Sequence, residues 1–211
     1  SNAIGLDSRI GNKFLKSGPG FGGSCFKKDI LNLIYLCNFY RLTEVADFWK
    51  SVLDMNEWHQ TRISKIIVQK LFGTISGKKL AILGFSYKAN TNDTRESSAI
   101  KICRNLIDEG ANLSIYDPKV EEKQIEIDLG IKSNEQGNIS SWRMVNSVYE
   151  AANSSDALVV LTEWEEFKQI NWEKVSKIMR APSWVIDTRN ILNYENAIDN
   201  GLKVWRLGVD N

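Results

Sequence analysis

The chain has 211 residues, 43% of them hydrophobic and 25% charged, so it can bury one large core or two smaller ones. Its 27 basic and 26 acidic residues leave a net charge of +1, which argues against nucleic acid or an anionic membrane as a partner. The single histidine argues against a histidine-based metal site and against a Ser-His catalytic relay. Three cysteines, an odd number in a chain of this size, predict reduced thiols and a cytoplasmic location.

The first third of the chain is predicted to be helical. Ser1-Asn2-Ala3 is typical of residues left by tag removal and is set aside. Residues 27–40 have the apolar spacing of a well-buried helix. From Val45 to Leu71, apolar residues recur in steps of three and four, which predicts a helix of about 27 residues, roughly 40 Å long. Such a helix is expected to join two domains, to form a dimer seam, or both.

The pattern changes at the turn-rich segment 73–77, after which strands alternate with helices. Strands are predicted at 79–84, 112–118, 157–162, 184–187 and 203–207. Helices are predicted at 97–110, 148–152 and 172–179. This alternation predicts an α/β fold with a parallel sheet covered by helices on both faces. The expected domains are a helical, dimer-forming segment at 4–72 and an α/β domain at 78–211.

Ligands of parallel sheets bind beyond the carboxyl ends of the strands. That rule points to residues 84–88, Asp117, 162–164 and 187–189. The loop at 84–88 and the Ser-rich stretch at 93–98 form either an anion pocket or a solvated loop. Arg189 either forks onto an anion or makes a structural ion pair.

The strongest local signal is the glycine-rich segment 18–29, which has four glycines within six positions and ends in Cys25 where a helix begins. The helix N-terminus and the neighbouring Lys27 and Lys28 favour the thiolate form of Cys25. Asp29 lies one helical turn further on and could activate a water molecule against a Cys25 adduct. The alternative is a tight turn with a small buried hydrophobe, but the combination of residues favours a reactive thiol. Cys37 and Cys103 lie in apolar patterns and are interpreted as core thiols.

Residues 20–29, GFGGSCFKKD, resemble the catalytic cysteine motif of the UDP-glucose/GDP-mannose dehydrogenase family. Supporting motifs follow one another in the family's order, and the resemblance extends from about residue 4 to about residue 207. These motifs lie at 7–16, 82–85, 92–98, 115–118 and 162–164. The resemblance implies that the chain contains the end of a central helical domain followed by a Rossmann-like, UDP-binding domain.

Members of this family oxidise the C6 hydroxyl of a nucleotide sugar to a carboxylate with two NAD+. The resemblance therefore implies that UDP-glucose is converted to UDP-glucuronate by two hydride transfers. Cys25 would hold the thiohemiacetal and then the thioester, and Asp29 would assist the hydrolytic water. The implied substrate-binding residues are Arg9, Lys16, Phe21, Gly22, Tyr87, Lys88 and Arg189, with Arg9 reaching the substrate of a neighbouring subunit. The implied NAD-binding residues are Lys28 and Arg95.

The chain departs from the family in two ways. Thr188 replaces a glycine common before the matching arginine, and Ala89-Asn90 replaces a more usual Lys-Asp pair. The N-terminal Rossmann domain with its G-x-G-x-x-G motif is absent, so the chain alone is expected to be inactive. A homodimer or larger homo-oligomer is expected from the long helix. Two alternatives stay open: a sister enzyme acting on GDP-mannose or a UDP-N-acetyl sugar, and a non-catalytic module that binds sugar nucleotides or serves in assembly.

Overall fold

The computed structural model describes residues 2–12, 15–133 and 141–209. Ser1, and residues 13–14 of the motif at 7–16, lie outside these ranges. The helices are α1 (Asn2–Gly5), α2 (Phe26–Phe39), α3 (Thr43–Lys70), α4 (Ser98–Asp108), α5 (Glu122–Leu129), α6 (Val148–Ala152), α7 (Trp172–Ile178) and α8 (Tyr194–Asp199), with a 3-10 helix at Glu165–Gln169. The strands are β1 (Lys79–Leu83), β2 (Asn112–Tyr116), β3 (Ser141–Met144), β4 (Ala157–Val160), β5 (Trp184–Asp187) and β6 (Lys203–Arg206).

The six strands form one sheet in the order β3-β2-β1-β4-β5-β6, and every neighbouring pair is parallel. This confirms the predicted α/β fold and its parallel sheet. The prediction of five strands was wrong, because it missed β3 at the sheet edge. That strand has four residues, of which Trp142 alone is buried, so it lacks the apolar run of an inner strand.

Helices cover both faces of the sheet, as predicted. Successive side chains of a strand point to opposite faces, so Leu80 and Ile82 of β1 enter one core while Ala81 and Leu83 enter the other. The first core includes residues of α3, α4 and α5, and the second includes residues of α6, α7 and α8. The sheet is therefore buried between two apolar layers. The carboxyl ends of its strands, which we call the carboxyl edge, are not covered by these layers and can form a binding site.

The long helix α3 spans 28 residues and begins at Thr43, in agreement with the sequence pattern. Its last turns carry Ile63 and Ile67, which are fully buried in the first core against the sheet. Helix α2 packs against α3, but the prediction that α2 is well buried was wrong. Ile30 and Cys37 are buried and Leu33 and Ile34 are half-buried, whereas its other large apolar side chains are exposed. Among the described residues, no helix is both long and apolar enough to cross a membrane.

Candidate functional site

The loop after β1 is fixed by a buried carboxylate at the carboxyl edge of the sheet. Asp117 accepts hydrogen bonds from the backbone N–H groups of Phe85 (2.7 Å) and Ser86 (3.0 Å) and from Trp164 Nε1 (3.2 Å). The Thr162 hydroxyl donates to the Ser86 carbonyl at 2.6 Å. Gly84 has a φ of +89°, and a Cβ added there would lie 2.4 Å from the Thr162 Cβ. The loop can therefore pass this close to β4 because residue 84 is glycine.

Arg189 lies at the same edge with its guanidinium held on several sides. Its Nε donates to the Leu161 carbonyl at 2.8 Å and its Nη2 to the Tyr87 carbonyl at 3.4 Å. Its Nη1 lies 3.2 Å from Glu163 Oε2. Burial lowers the pKa of the Arg189 guanidinium, while the charges of Glu163 and Asp187 act in the opposite direction. The ion pair considered from the sequence is thus present, with Glu163 as the partner.

Thr188, where the chain departs from the family pattern, lies in the turn that carries Arg189 and is held there by a hydrogen bond. The Thr188 hydroxyl is buried and donates to the Val160 carbonyl at 2.6 Å. Asp187 accepts the Arg189 N–H at 2.9 Å, and its other carboxylate oxygen accepts the N–H groups of Ile191 and Leu192 at 2.9 Å. The turn that presents Arg189 is therefore shaped by the last residue of β5.

A cavity of about 910 Å³ lies between the carboxyl edge of the sheet, the glycine-rich segment and α3. We call it the large cavity, and its size suits a ligand as big as a nucleotide sugar. It brings together six of the residues predicted to bind substrate: Lys16, Phe21, Gly22, Tyr87, Lys88 and Arg189. A hydrogen bond with Tyr87 raises the pKa of the Lys88 ammonium, which is exposed at the rim. Three cationic side chains and the aromatic rings of Phe21 and Tyr87 thus line the large cavity.

Sequence reasoning missed the part of the large cavity that α3 supplies. Val52, Met55, Asn56 and His59 line it from the helix, and Glu163 lines it from the sheet edge. The Nε2 atom of His59 lies 3.1 Å from the Gly18 carbonyl oxygen. The one sequence signal that could have indicated these residues is their helical spacing, which places positions 52, 55, 56 and 59 on one side of the helix.

A second cleft, of about 590 Å³, contains the candidate thiol, and we call it the cysteine cleft. It is lined by Ser24, Cys25, Lys28, Asp29, Arg95 and Glu96. Cys25 is exposed and occupies the N-cap position of α2, and the Asp29 N–H donates to the Cys25 carbonyl at 2.8 Å. The four cleft residues predicted to be catalytic or NAD-binding, Cys25, Asp29, Lys28 and Arg95, are therefore neighbours in space.

The glycine-rich segment separates the large cavity from the cysteine cleft and packs tightly on the turn before α4. The Gly23 N–H donates to the Arg95 carbonyl at 2.9 Å, and a Cβ added to Gly22 would lie 2.2 Å from the Glu96 carbonyl oxygen. Lys27 Nζ binds Glu96 Oε2 at 2.8 Å. Arg95 pairs with Asp93 at 2.7 Å, and this hydrogen bond lowers the pKa of the Asp93 carboxyl group. A ligand in the large cavity and a ligand in the cysteine cleft would therefore lie on opposite sides of residues 22–24.

The other cysteines are buried, as predicted. Cys37 is 6% exposed and Cys103 is fully buried, and burial raises the pKa of the Cys103 thiol. Of the three thiols, Cys25 is the one that a reagent or substrate can reach. In the described part of the chain, no group of three or more His, Cys, Asp or Glu side chains is arranged to hold a metal ion.

Arg9 lies in neither the large cavity nor the cysteine cleft. Its Nη2 binds Asp7 Oδ2 at 2.6 Å, and its side chain is 86% exposed. This hydrogen bond lowers the pKa of the Asp7 carboxyl group. A role for Arg9 at a neighbouring subunit's substrate stays a prediction.

A sheet of this order, with cations at the carboxyl edge beside its central strands, defines a Rossmann-like protein suited to nucleotide ligands. Comparison of the sequence with known protein families identifies the family within that class. The UDP-binding domain of the UDP-glucose/GDP-mannose dehydrogenase family matches residues 81–194, and the central domain of the same family matches residues 1–58. The chain belongs to the UDP-glucose/GDP-mannose dehydrogenase family.

Individual relatives agree with this placement. UDP-glucose 6-dehydrogenase of Drosophila melanogaster is 46% identical over 99% of this chain and 44% of the relative's length. The mouse protein of the same name is 48% identical over 92% of this chain and 40% of the relative. Among solved structures, a UDP-glucose dehydrogenase from Pyrobaculum islandicum has a TM-score of 0.75 at 27% identity, over 97% of this chain and 41% of that chain. The chain thus spans less than half the length of these relatives.

Proposed function

We propose that this chain belongs to an NAD-dependent enzyme that oxidises UDP-glucose to UDP-glucuronate. The observation that carries the proposal is the pairing of an exposed thiol with a carboxylate in the cysteine cleft, separated from the cation-lined large cavity by residues 22–24. The similarity to UDP-glucose 6-dehydrogenases over nearly the whole chain supports the same assignment. The three unpaired cysteines support a cytoplasmic location.

The large cavity would hold the nucleotide portion of the substrate. A diphosphate needs cations, and Lys16, Lys88 and Arg189 face this space. Arg189 is the most constrained of the three, since its side chain is only 15% exposed and binds backbone carbonyls. The sugar would then extend past Gly22 towards Cys25.

In the cysteine cleft, the Cys25 sulfur would form a bond to the C6 carbon of the aldehyde-level sugar, and the carbonyl oxygen would take up a proton to give a thiohemiacetal. Loss of a hydride from that carbon to the oxidant, together with loss of the hydroxyl proton to solvent, would leave a thioester. Asp29 would accept a proton from the water that attacks the thioester, which breaks the carbon–sulfur bond and releases the carboxylate and the Cys25 thiolate.

The residues of the cysteine cleft fit one end of a dinucleotide. Lys28 and Arg95 line the cleft beside Cys25 and present two cations to a pyrophosphate. When bound, NAD+ would supply the hydride acceptor for both oxidation steps. Among the described residues, Lys28 and Arg95 are the two that we expect to contact NAD. Because two contacts are few for a dinucleotide, we expect the chain alone to be catalytically inactive.

Calorimetric titration of the chain with UDP-glucose, with GDP-mannose and a UDP-N-acetyl sugar as controls, tests the proposal. We expect UDP-glucose to bind at least about tenfold more tightly than either control. With UDP-glucose and NAD+ together, we expect no NADH absorbance, and NADH formation would contradict the expected inactivity.

Two outcomes would favour the alternative functions. Tighter binding of a control sugar would favour a sister enzyme of the family. A Cys25 that alkylates slowly and without pH dependence would favour a non-catalytic module.

A further inference from the structure

The side chain of Asn56 makes a two-way contact with the backbone of the glycine-rich segment. Asn56 Oδ1 accepts the Phe21 N–H at 2.9 Å, and Asn56 Nδ2 donates to the Phe21 carbonyl at 3.2 Å. One amide side chain thereby satisfies both backbone groups of a residue that lies in no helix or strand. The contact joins positions that are 35 residues apart in sequence.

The glycine-rich segment is held from two sides by different parts of the molecule. On the α3 side, Asn56 holds Phe21 and His59 meets the Gly18 carbonyl. Gly20 fits against the same helix, because a Cβ added there would lie 2.8 Å from Asn56 Oδ1. On the opposite side, Gly23 donates to the Arg95 carbonyl. Phe21 and Gly22 line the large cavity, so the α3 contacts fix one wall of it.

We propose that Asn56 is a positioning residue that sets the affinity of the large cavity for the nucleotide sugar by holding the Phe21–Gly22 wall in place. This inference rests on the proposed function of that cavity. Loss of the Asn56 amide leaves the Phe21 N–H and carbonyl without their partner, so the wall becomes free to move. Cys25 stays anchored, because α2 and the Gly23–Arg95 hydrogen bond do not involve Asn56.

The role is separate from anchoring α3 to the sheet. The apolar attachment of α3 is made by Ile63 and Ile67, about two and three turns further along the helix than Asn56. A matched control is Asn105, whose Nδ2 donates to the Ser64 hydroxyl at 3.2 Å. Asn105→Ala therefore removes a side-chain amide bonded to the same helix without touching the glycine-rich segment.

The test compares Asn56→Ala and Asn105→Ala in three measurements on the chain. For N56A we expect UDP-glucose to bind about tenfold more weakly than to the unmodified chain, the size expected for two lost hydrogen bonds. We expect its melting temperature to stay within about 2 °C of the N105A value. We expect iodoacetamide to alkylate Cys25 at a rate within about twofold of that of N105A, because the N-terminus of α2 is unchanged. Equal UDP-glucose affinity for N56A and N105A would overturn the proposal, as would equal loss of affinity and of Cys25 reactivity in N56A.

Amide hydrogen exchange measured by NMR supplies a test that needs no ligand. In the unmodified chain, the Phe21 amide should be protected by Asn56, and in N56A it should exchange at least about tenfold faster while the Gly23 amide changes little. A Phe21 amide that exchanges freely in the unmodified chain would overturn the proposal, even if N56A failed to fold. If the unmodified chain bound no UDP-glucose, the proposed function would lose its support, whereas this exchange measurement would still decide whether Asn56 holds the segment.

Discussion

The guanidinium of Arg189 illustrates why residue type matters at this site. Its Nε and Nη2 atoms donate to two backbone carbonyls while Nη1 faces Glu163, which needs the planar fork of an arginine. A lysine at this position supplies one ammonium group and cannot reach all three acceptors. We expect Arg189→Lys to lower the free energy of unfolding by about 1–3 kcal/mol, because buried acceptors lose their donors. The same change should weaken UDP-glucose binding at least about tenfold. Urea unfolding and calorimetry measure the two effects.

Arg180 provides the control for that prediction. Its Nη1 lies 3.6 Å from Asp156 Oδ2 and its side chain is 56% exposed, away from the large cavity. Arg180→Lys should change the free energy of unfolding by less than about 0.5 kcal/mol and leave binding unchanged. If Arg189→Lys behaved like Arg180→Lys, the fork of Arg189 would have no role in the site.

At the scale of elements, the two halves of α3 have different surroundings. Its first half carries side chains of the large cavity and exposed apolar residues, whereas its last turns are packed in the core with α4. Ile67 is fully buried there. We expect Ile67→Ala to lower the free energy of unfolding by about 2–5 kcal/mol, through lost burial and the cavity left behind. Urea denaturation of the chain measures it.

The matched control is Ile127→Ala on α5, because Ile127 is 64% exposed. Its effect should stay within about 0.5 kcal/mol. A loss below about 1 kcal/mol for Ile67→Ala would mean that the last turns of α3 are not part of the folded core.

At the scale of the whole molecule, helices α2 and α3 leave large apolar side chains uncovered. The most exposed of these are Tyr35, Phe39, Phe48, Met55 and Trp58. Apolar surface of this extent is a common mark of an interface. We therefore expect a dimer with a mass of twice 24.0 kDa by light scattering at tens of micromolar. Phe48→Asp should shift the mass towards the monomer, since a buried unpaired charge is costly.

Ile198→Asp on α8 is the control for the dimer prediction, because Ile198 is also exposed (52%) but lies on the α/β side of the molecule. It should leave the mass unchanged. A monomeric mass for the unmodified chain, or equal effects of the two substitutions, would contradict a dimer formed through these helices.

The sequence allowed prediction of the features that depend on local patterning. The inner strands are apolar runs, and α3 has a regular helical period, so their bounds were nearly correct. Edge strand β3 and the burial of α2 were not predictable in this way, because both depend on what packs alongside them. Similarly, the motifs indicated Cys25 and Arg189 as candidate site residues, and their roles stay predictions. Asn56 was missed because its contact is with Phe21, 35 residues away in the sequence. The boundary between domains at residues 72–78 stays a prediction.

The strand order has a consequence for how the chain acquires its fold. Helices α2 and α3 are neighbours in sequence, so their contact closes a short loop, whereas β1 pairs on one side with β4, where Leu80 meets Ala157, 77 positions later. Local contacts form quickly and distant ones slowly. During synthesis at about 5–20 residues per second, β1 would wait roughly 4–15 s for β4 to be made. For that time the apolar strand Lys79–Leu83 has one edge unpaired, which makes it the segment most exposed to mispairing as the nascent chain folds.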